Sequence, residues 1–256
     1  MKHIKRKFLS SHNITKDAYE FLLKQPINNG EIDIKKINKS VPFLITQDQK
    51  FIQAFNYEYN GFIYQIPEPN PIIIYFSNAQ GFLSKILDDR ENLLQNLKKE
   101  KTDINEILNH MFSFYSCVVN YSASLFDSIE AFINSKIPKD FKYENHKRRN
   151  KIMNKYEIIR YSTFEDKVKI ILPQIYNNKN FSIERSHQFE ILLKLKKLRD
   201  NITHAKADLE YDVNYYTELF TEALNFDYLK AIESSKDFIN FFEENLIEPC
   251  HCGLEH

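Results

Sequence analysis

A long stripe of mostly apolar residues restricts the folds open to this chain more than any other feature of its sequence. Thr102 and Asp103, both good N-cap residues, precede the stripe, and Pro138 closes it. Its members recur at steps of three and four, the spacing of one buried helical face: Ile104, Ile107, Met111, Tyr115, Val118, Ser122, Leu125, Ile129 and Phe132. The stripe predicts a helix of roughly 35 residues, about 50 Å long.

Helical periodicity also precedes and follows this stretch. One apolar stripe lies within residues 82–97, and a capping box at residues 162–165 opens a short helix that we expect to end near Pro173. Residues 216–246 carry a continuous stripe for a last long helix. Long antiparallel helices joined by short pieces are typical of an up-and-down bundle, so residues 79–253 are predicted to form one.

The first third of the chain carries a different signal. From Phe51 to Tyr59 aromatic side chains alternate with others, and an Asn-Gly pair follows before the run FIYQI. Asn-Gly between such runs indicates a hairpin, because both turn positions require positive φ. Prolines isolate a third run, PIIIYF at residues 71–76, which we also expect to be a strand. The predicted fold is therefore α+β and mainly α, with a β-rich subdomain at residues 1–78 before the helical bundle.

The aromatic side chains of this hairpin allow two interpretations. They could stack on the bases of single-stranded RNA, as exposed rings do in proteins that bind single strands. However, strands favour aromatic residues for packing, and no lysine or arginine lies between residues 51 and 76. We therefore prefer packing in a core or an interface.

Charge and glycine content exclude several classes of function. Acidic and basic side chains balance at 35 each, so the net charge does not attract the chain to nucleic acid and any RNA contact must be local. The 4 glycines form no GxxxxGK[ST] or GxGxxG loop, which argues against P-loop and dinucleotide-binding enzymes. The longest apolar run, residues 72–76, is far short of the ~20 residues of a membrane helix, so no membrane association is expected.

Cysteines and termini bear on location and metal binding. With 3 cysteines and no secretory signal, we expect a cytoplasmic protein without a disulfide framework. Cys250, His251 and Cys252 are three potential zinc ligands, but their Cys-x-Cys spacing is unlike that of usual structural zinc sites. We interpret this segment as a frayed terminus and predict no metal and no cofactor. Residues 254–256 are interpreted as the remnant of an expression tag.

The strongest candidate for a functional site lies on the predicted helix at residues 186–207. Steps of three and four mark its buried face: Ile191, Leu195, Leu198, Ile202 and Ala205. A separate polar arc carries Arg199, Asp200, Thr203 and His204. The same arc is apolar one to two turns earlier, at Phe189, Leu192 and Leu193. Apolar residues on both faces indicate that the bundle interior or a partner chain covers this helix on both sides.

Arg199 and His204, with four residues between them and Asp200 directly after the arginine, resemble the Arg-x(4–6)-His motif of HEPN domains. The resemblance covers roughly residues 100–247. It implies an all-helical bundle, often paired as a homodimer so that two motifs face each other. It also implies a metal-independent endoribonuclease of a toxin-antitoxin or antiphage defence system, with an antitoxin as a further partner. Arg6 and His12, with five residues between them, also match the motif, but they lie in a lysine-rich N-terminal run rather than on an amphipathic helix.

The motif residues suit metal-free RNA cleavage. Such an enzyme must deprotonate a ribose 2′-hydroxyl, stabilise an anionic phosphorane and protonate the departing 5′ oxygen. A histidine can serve as acid or base near neutral pH, and an arginine can pair with phosphate oxygens. We therefore assign His204 as acid or base, Arg199 as the phosphate anchor and Asp200 as an orienting residue. Two copies in a dimer would supply two histidines.

Several other residues are candidates for a supporting role. The cations expected to attract RNA are Lys196, Lys197 and Lys206, with Arg148 and Arg149 from a charged segment earlier in the chain. Such charged runs are more often solvated surface. Glu130 and Asn134, four apart on the long helix, could line a site, although ordinary surface or capping use is the commoner role of such a pair.

The alternative is a non-catalytic helical interaction or RNA-binding domain. Arg199 and Asp200 would then be surface charges, and His204 would be a histidine favoured by the helix dipole near a C-terminus. The two hypotheses differ in geometry. The ribonuclease requires Arg199 and His204 to converge in a cleft, whereas the interaction domain leaves them apart or held in salt bridges.

Overall fold

The computed structural model describes residues 2–5, 7, 11–12, 43–45, 51–99, 103–145, 151–203, 215–250 and 252. The fold is α+β and mainly α, as predicted. The chain divides into two compact units, one formed by Lys7–Pro71 and the other by Met1–Arg6 together with Ile72–His256. None of the helices within the described ranges combines the length and the apolar composition that crossing a membrane requires.

The smaller unit is built on the predicted hairpin. Strands β3 (Phe51–Tyr59) and β4 (Phe62–Pro67) pair antiparallel, and the short strands β1 (Ser11–His12) and β2 (Phe43–Ile45) pair with the first part of β3. Asn60 and Gly61 connect β3 to β4 with φ values of 51° and 78°. Both are positive, which is the backbone requirement that makes Asn-Gly a hairpin signal.

One face of the hairpin is apolar and exposed. Tyr59 lies opposite Phe62, and Tyr57 lies opposite Tyr64. Because directly opposite residues point to the same side of a sheet, these side chains share a face with Phe55 and Ile66. All six are exposed. The preferred interpretation of core packing is therefore wrong for these side chains within the described part of the chain, and an interface remains a prediction.

Helix α1 (Pro71–Leu97) corrects the prediction for residues 71–76. The run PIIIYF is the start of this helix and not a third strand. Apolar burial continues at helical spacing through Ile72, Phe76, Ala79 and Leu83, so the periodicity over many residues overrides the β-branched composition of a few. Proline at the first position of a helix is also favourable, because its missing N–H has no intrahelical partner there.

Helix α2 (Ile104–Lys136) confirms the prediction of a long central helix. Asp103 caps its N-terminus by accepting a hydrogen bond from the Asn105 N–H at 2.9 Å. A small antiparallel ribbon of β5 (Tyr143–Asn145) and β6 (Lys151–Met153) follows, and then α3 (Lys155–Tyr161).

The next helical stretch contains a π-helical turn. It consists of α4 (Phe164–Asp166), a π-helical segment (Lys167–Ile171) and α5 (Leu172–Ile175). Thr163 is the N-cap, accepting from the Asp166 N–H at 3.0 Å, so the cap lies one residue after the predicted Ser162. Pro173 does not end the helix as expected. The Lys169 carbonyl, which it cannot bond, accepts from the Asn180 side chain at 3.5 Å.

The remaining helices are α6 (Phe181–Glu184), α7 (Ser186–Thr203), α8 (Tyr215–Asn225) and α9 (Tyr228–Phe242). Asp227 caps α9 by accepting from the Lys230 N–H at 3.0 Å, so the predicted last long helix is in fact two helices. Helix α7 packs mainly against α9 and α2. Leu195 and Leu198 are buried as predicted, and so are Phe189 and Leu192. The other predicted apolar positions are half-buried or, for Ala205, outside the described residues: Ile191, Leu193, Ile202 and Ala205. The bundle interior therefore covers both apolar faces of α7.

Candidate functional site

Arg199 lies where α7 packs against α2. Its guanidinium carbon is 4.3 Å from the ring centroid of Phe126, which is a cation-π contact. One terminal nitrogen is 2.9 Å from Asp200 Oδ1, and the other is 3.7 Å from Glu130 Oε2. The side chain keeps 20% of its surface exposed. Three neighbours thus fix the guanidinium plane while part of it still reaches solvent.

The Nε–H of Arg199 is a buried donor without an acceptor among the described residues. Buried donors are usually satisfied, because leaving one unpaired costs about 1–3 kcal/mol. A bidentate contact with a phosphate or carboxylate uses two N–H groups of the guanidinium fork. The protein neighbours of Arg199 therefore do not use up its hydrogen-bonding capacity.

Asp200 connects Arg199 to Lys196. Its Oδ2 is 2.7 Å from Lys196 Nζ, and its Oδ1 is the atom that contacts Arg199. Asp200 therefore contacts both cations, and its orienting role stays a prediction. Lys197 points to α8, where its Nζ lies 3.4 Å from Glu222, and 69% of its side chain is exposed.

Lys167, which was not predicted from the sequence, is a buried cation close to Glu130. The residue is 3% exposed, and its ammonium donates to the Ile159 carbonyl at 3.1 Å and to Asn134 Oδ1 at 3.4 Å. Burial lowers the pKa of Lys167, and the nearby Glu130 carboxylate opposes that shift. The pair Glu130 and Asn134 therefore does line a polar cluster.

One sequence signal could have identified Lys167. Phe164, Val168 and Ile171 form the apolar face of this short stretch, and Lys167 falls among them at helical spacing, where a charge requires a buried partner. The π-helical turn that begins at Lys167 has no such signal. Turns of this kind occur frequently at functional sites.

Asp127 completes the charged surroundings of Arg199. Burial raises the pKa of its carboxyl, and the positive charge of Arg199 opposes that shift. The cluster then contains the acids Asp127, Glu130 and Asp200 and the bases Lys167, Lys196 and Arg199. With all six groups ionised, the cluster is neutral.

The structure does not describe four of the predicted site residues: His204, Lys206, Arg148 and Arg149. Helix α7 is described as far as Thr203, the residue before His204. The predicted residues that the structure brings together are Arg199, Asp200 and Lys196, with Glu130 and Asn134 of α2.

One further group of side chains has the composition of a metal site. His3, Cys250 and Cys252 place one possible ligand atom each within 4.8 Å of one another. The sequence analysis missed His3 because it lies at the opposite end of the chain from the two cysteines.

Comparison with known proteins gives no family assignment: no family model, no curated protein and no solved structure matches this chain.

Proposed function

We propose that this protein is a metal-independent endoribonuclease of the HEPN type, acting in the cytoplasm as the toxin or effector of a defence or toxin-antitoxin system. The observation that carries the proposal is the setting of Arg199. Its guanidinium is oriented by Phe126, Glu130 and Asp200, and its Nε–H has no acceptor among the described residues. His204 follows five positions later in the sequence.

The proposed reaction assigns one task to each group. The ribose 2′-oxygen attacks the phosphorus and loses its proton to a histidine acting as base, while the bond from phosphorus to the 5′ oxygen breaks. A second histidine protonates that oxygen. The products are a 2′,3′-cyclic phosphate and a 5′-hydroxyl. Arg199 stabilises the charge that develops on the phosphoryl oxygens, and His204 from each of two copies supplies the two proton-transfer groups.

The contacts of Arg199 are compatible with phosphate binding. The carboxylates of Glu130 and Asp200 keep 38% and 32% of their side-chain surface exposed. Each can therefore turn toward solvent when a phosphate group takes its place beside Arg199. Asp200 keeps its contact with Lys196 when it releases Arg199.

The test is cleavage of a labelled single-stranded RNA in EDTA by the parent and by Arg199→Ala, Arg199→Lys and His204→Ala. Arg199→Ala and His204→Ala should each lower the rate by about 10²–10³-fold. Arg199→Lys should also lose activity, because an ammonium does not reproduce the planar fork. The matched controls are Arg6→Ala and His12→Ala, which remove the other pair with motif spacing and should cleave like the parent.

Circular dichroism and sedimentation must show that each variant folds and associates like the parent in the same EDTA buffer. Parent RNA products should carry 2′,3′-cyclic phosphate ends. Equal cleavage by parent and Arg199→Ala would remove Arg199 from the site.

The second candidate function is a non-catalytic helical interaction domain. It is favoured by the same ion pairs, because both terminal nitrogens of Arg199 already contact carboxylates of the protein. Absence of RNA cleavage by the folded parent would make this the preferred function.

A further inference from the structure

The two ends of the chain meet in the larger unit. Ile4 pairs with Pro249 in an isolated antiparallel bridge. The Lys5 N–H donates to the Glu248 carbonyl at 2.8 Å, and the Cys250 N–H donates to the His3 carbonyl at 2.6 Å. Residues 248–250 are therefore paired with residues 3–5, which corrects the interpretation of this segment as a frayed terminus.

Helix α1 holds the N-terminal segment in place. The side-chain amide of Gln80 donates to the Lys2 carbonyl at 2.8 Å and accepts from the Ile4 N–H at 3.3 Å. Ile4 is buried, as is Ile247 near the opposite strand. Backbone pairing, side-chain clamping and burial thus fix the position of His3, which lies between the two residues held by Gln80.

This pairing brings three metal-binding side chains together. His3 Nδ1 is 3.4 Å from Cys252 Sγ, and the ligand atoms of His3, Cys250 and Cys252 all lie within 4.8 Å of one another. On a tetrahedral zinc ion, with bonds of about 2.0–2.1 Å to nitrogen and about 2.3 Å to sulfur, a nitrogen and a sulfur ligand are about 3.6 Å apart. The observed separation is close to that value.

The donor set selects the class of metal. Two thiols and an imidazole are soft and borderline ligands, and the group contains no carboxylate, so calcium and magnesium are excluded. Neither Cys250 nor Cys252 forms a disulfide. His3 is 8% exposed, whereas Cys252 is exposed, so water reaches the group from the side of Cys252.

We propose that His3, Cys250 and Cys252 bind one zinc ion that ties the N-terminus to the C-terminal segment. Zinc displaces the thiol protons and takes the three side chains as ligands, and its fourth position is open to water or another donor. His3 and Cys252 are 249 positions apart in the sequence. Since a site assembled from such distant residues exists only in the folded chain, zinc binding should stabilise the fold.

The test begins with the metal content of the chain purified without a polyhistidine tag, measured by plasma mass spectrometry after dialysis. The parent should carry about one zinc per chain. His3→Ala and Cys252→Ser should reduce the content to that of the dialysis buffer. The matched controls are His187→Ala, an exposed histidine of α7, and Cys117→Ala, a cysteine of α2, and both should keep the metal.

Measurements on the parent alone guard against variants that fail to fold. Removal of zinc by a chelator should lower the melting temperature, and adding zinc back should restore it. Cobalt bound in place of zinc should give a thiolate-to-cobalt charge-transfer band. A parent without zinc, equal zinc in His3→Ala and parent, or a Cys250–Cys252 disulfide detected by mass spectrometry would each overturn the proposal. None of these results bears on Arg199, so the zinc site and the ribonuclease fail or stand separately.

Discussion

Glu130 links two cations of the candidate site, the partly exposed Arg199 and the buried Lys167. Its carboxylate lies 3.7 Å from a guanidinium nitrogen of Arg199 and raises the pKa of Lys167, although the lowering effect of burial on Lys167 is larger. Lys167 thus carries its charge in surroundings that disfavour it. Ionisable groups perturbed in this way are concentrated at functional sites, which gives Lys167 a testable role beside Arg199.

Replacing Lys167 by Met should change how stability depends on pH. The lowered pKa means that the unfolded chain binds the proton more tightly than the folded chain, so the parent gains stability as pH rises from the folded pKa of Lys167 toward its ordinary value of 10.5. Lys167→Met removes this gain. Melting temperatures measured by circular dichroism should therefore rise with pH more steeply in the parent than in the variant.

Lys194→Met, at an exposed position of α7, is the matched control for Lys167→Met and should follow the parent. Parallel pH profiles for the parent and Lys167→Met would show that Lys167 is not under a burial penalty. RNA cleavage by Lys167→Met distinguishes a catalytic role of Lys167 from a structural one. Only a catalytic role predicts lower activity in a variant that stays folded.

At the level of elements, sequence periodicity predicted the helices and strands that lie in long or strongly patterned segments. Helix α2 and the hairpin of β3 and β4 follow from such patterns, and so does the burial of Leu195 and Leu198 on α7. Arg199 and Asp200 were identifiable because their helix was. The partners Phe126 and Asp127 were not, since they lie on another helix and the crossing of two helices is set by packing that one sequence does not display.

Two predicted elements were wrong because a local sequence pattern and the wider context favour different structures. Residues 71–76 read as a strand in isolation, but burial at helical spacing extends from Ile72 into the rest of α1. The stripe from residue 216 onward is continuous in sequence, yet Asp227 caps a new helix within it. The Tyr228 hydroxyl donates to the Ala223 carbonyl and stabilises this break. A periodic pattern predicts which face of a helix is buried, but it does not predict local hydrogen bonds of this kind.

The break between α8 and α9 predicts the effect of Asp227→Ala. Loss of the N-cap should lower the free energy of unfolding by about 1 kcal/mol, seen as a lower urea midpoint with an unchanged m value. Burial alone would raise the pKa of Asp227, but hydrogen bonds from Lys230 lower it below its usual value of 3.8. A carboxylate whose pKa is lowered in the folded chain contributes to stability above pH 3.8, and this contribution is lost as the pH falls through the folded pKa.

Asp237→Ala, an exposed position of the same helix without a capping role, is the matched control for Asp227→Ala. The difference between Asp227→Ala and the parent should shrink as pH falls below 3.8. A difference that persists unchanged in acid would mean that Asp227 acts by something other than its charge.

At the scale of the whole molecule, the number of catalytic groups bears on the oligomeric state. The motif provides one histidine, whereas the proposed reaction needs both a base and an acid. The apolar arc of α7 at Phe189 and Leu192 is covered inside the bundle, so it no longer supports a partner chain on that side. The proposal of a homodimer therefore rests on the chemistry of the site.

A site completed by a second copy makes activity depend on dimer concentration. If each histidine requires the other, RNA cleavage per chain should stay constant while the protein is dimeric and fall in proportion to the dimer fraction on dilution. Sedimentation across the same concentrations gives the dimer fraction. Recovery of activity when the diluted protein is concentrated again excludes loss of activity by denaturation. Unchanged cleavage per chain in a solution of monomers would mean that one chain holds the complete site. Lys167 would then be the next candidate for the second proton-transfer group, because burial lowers its pKa from that of an exposed lysine.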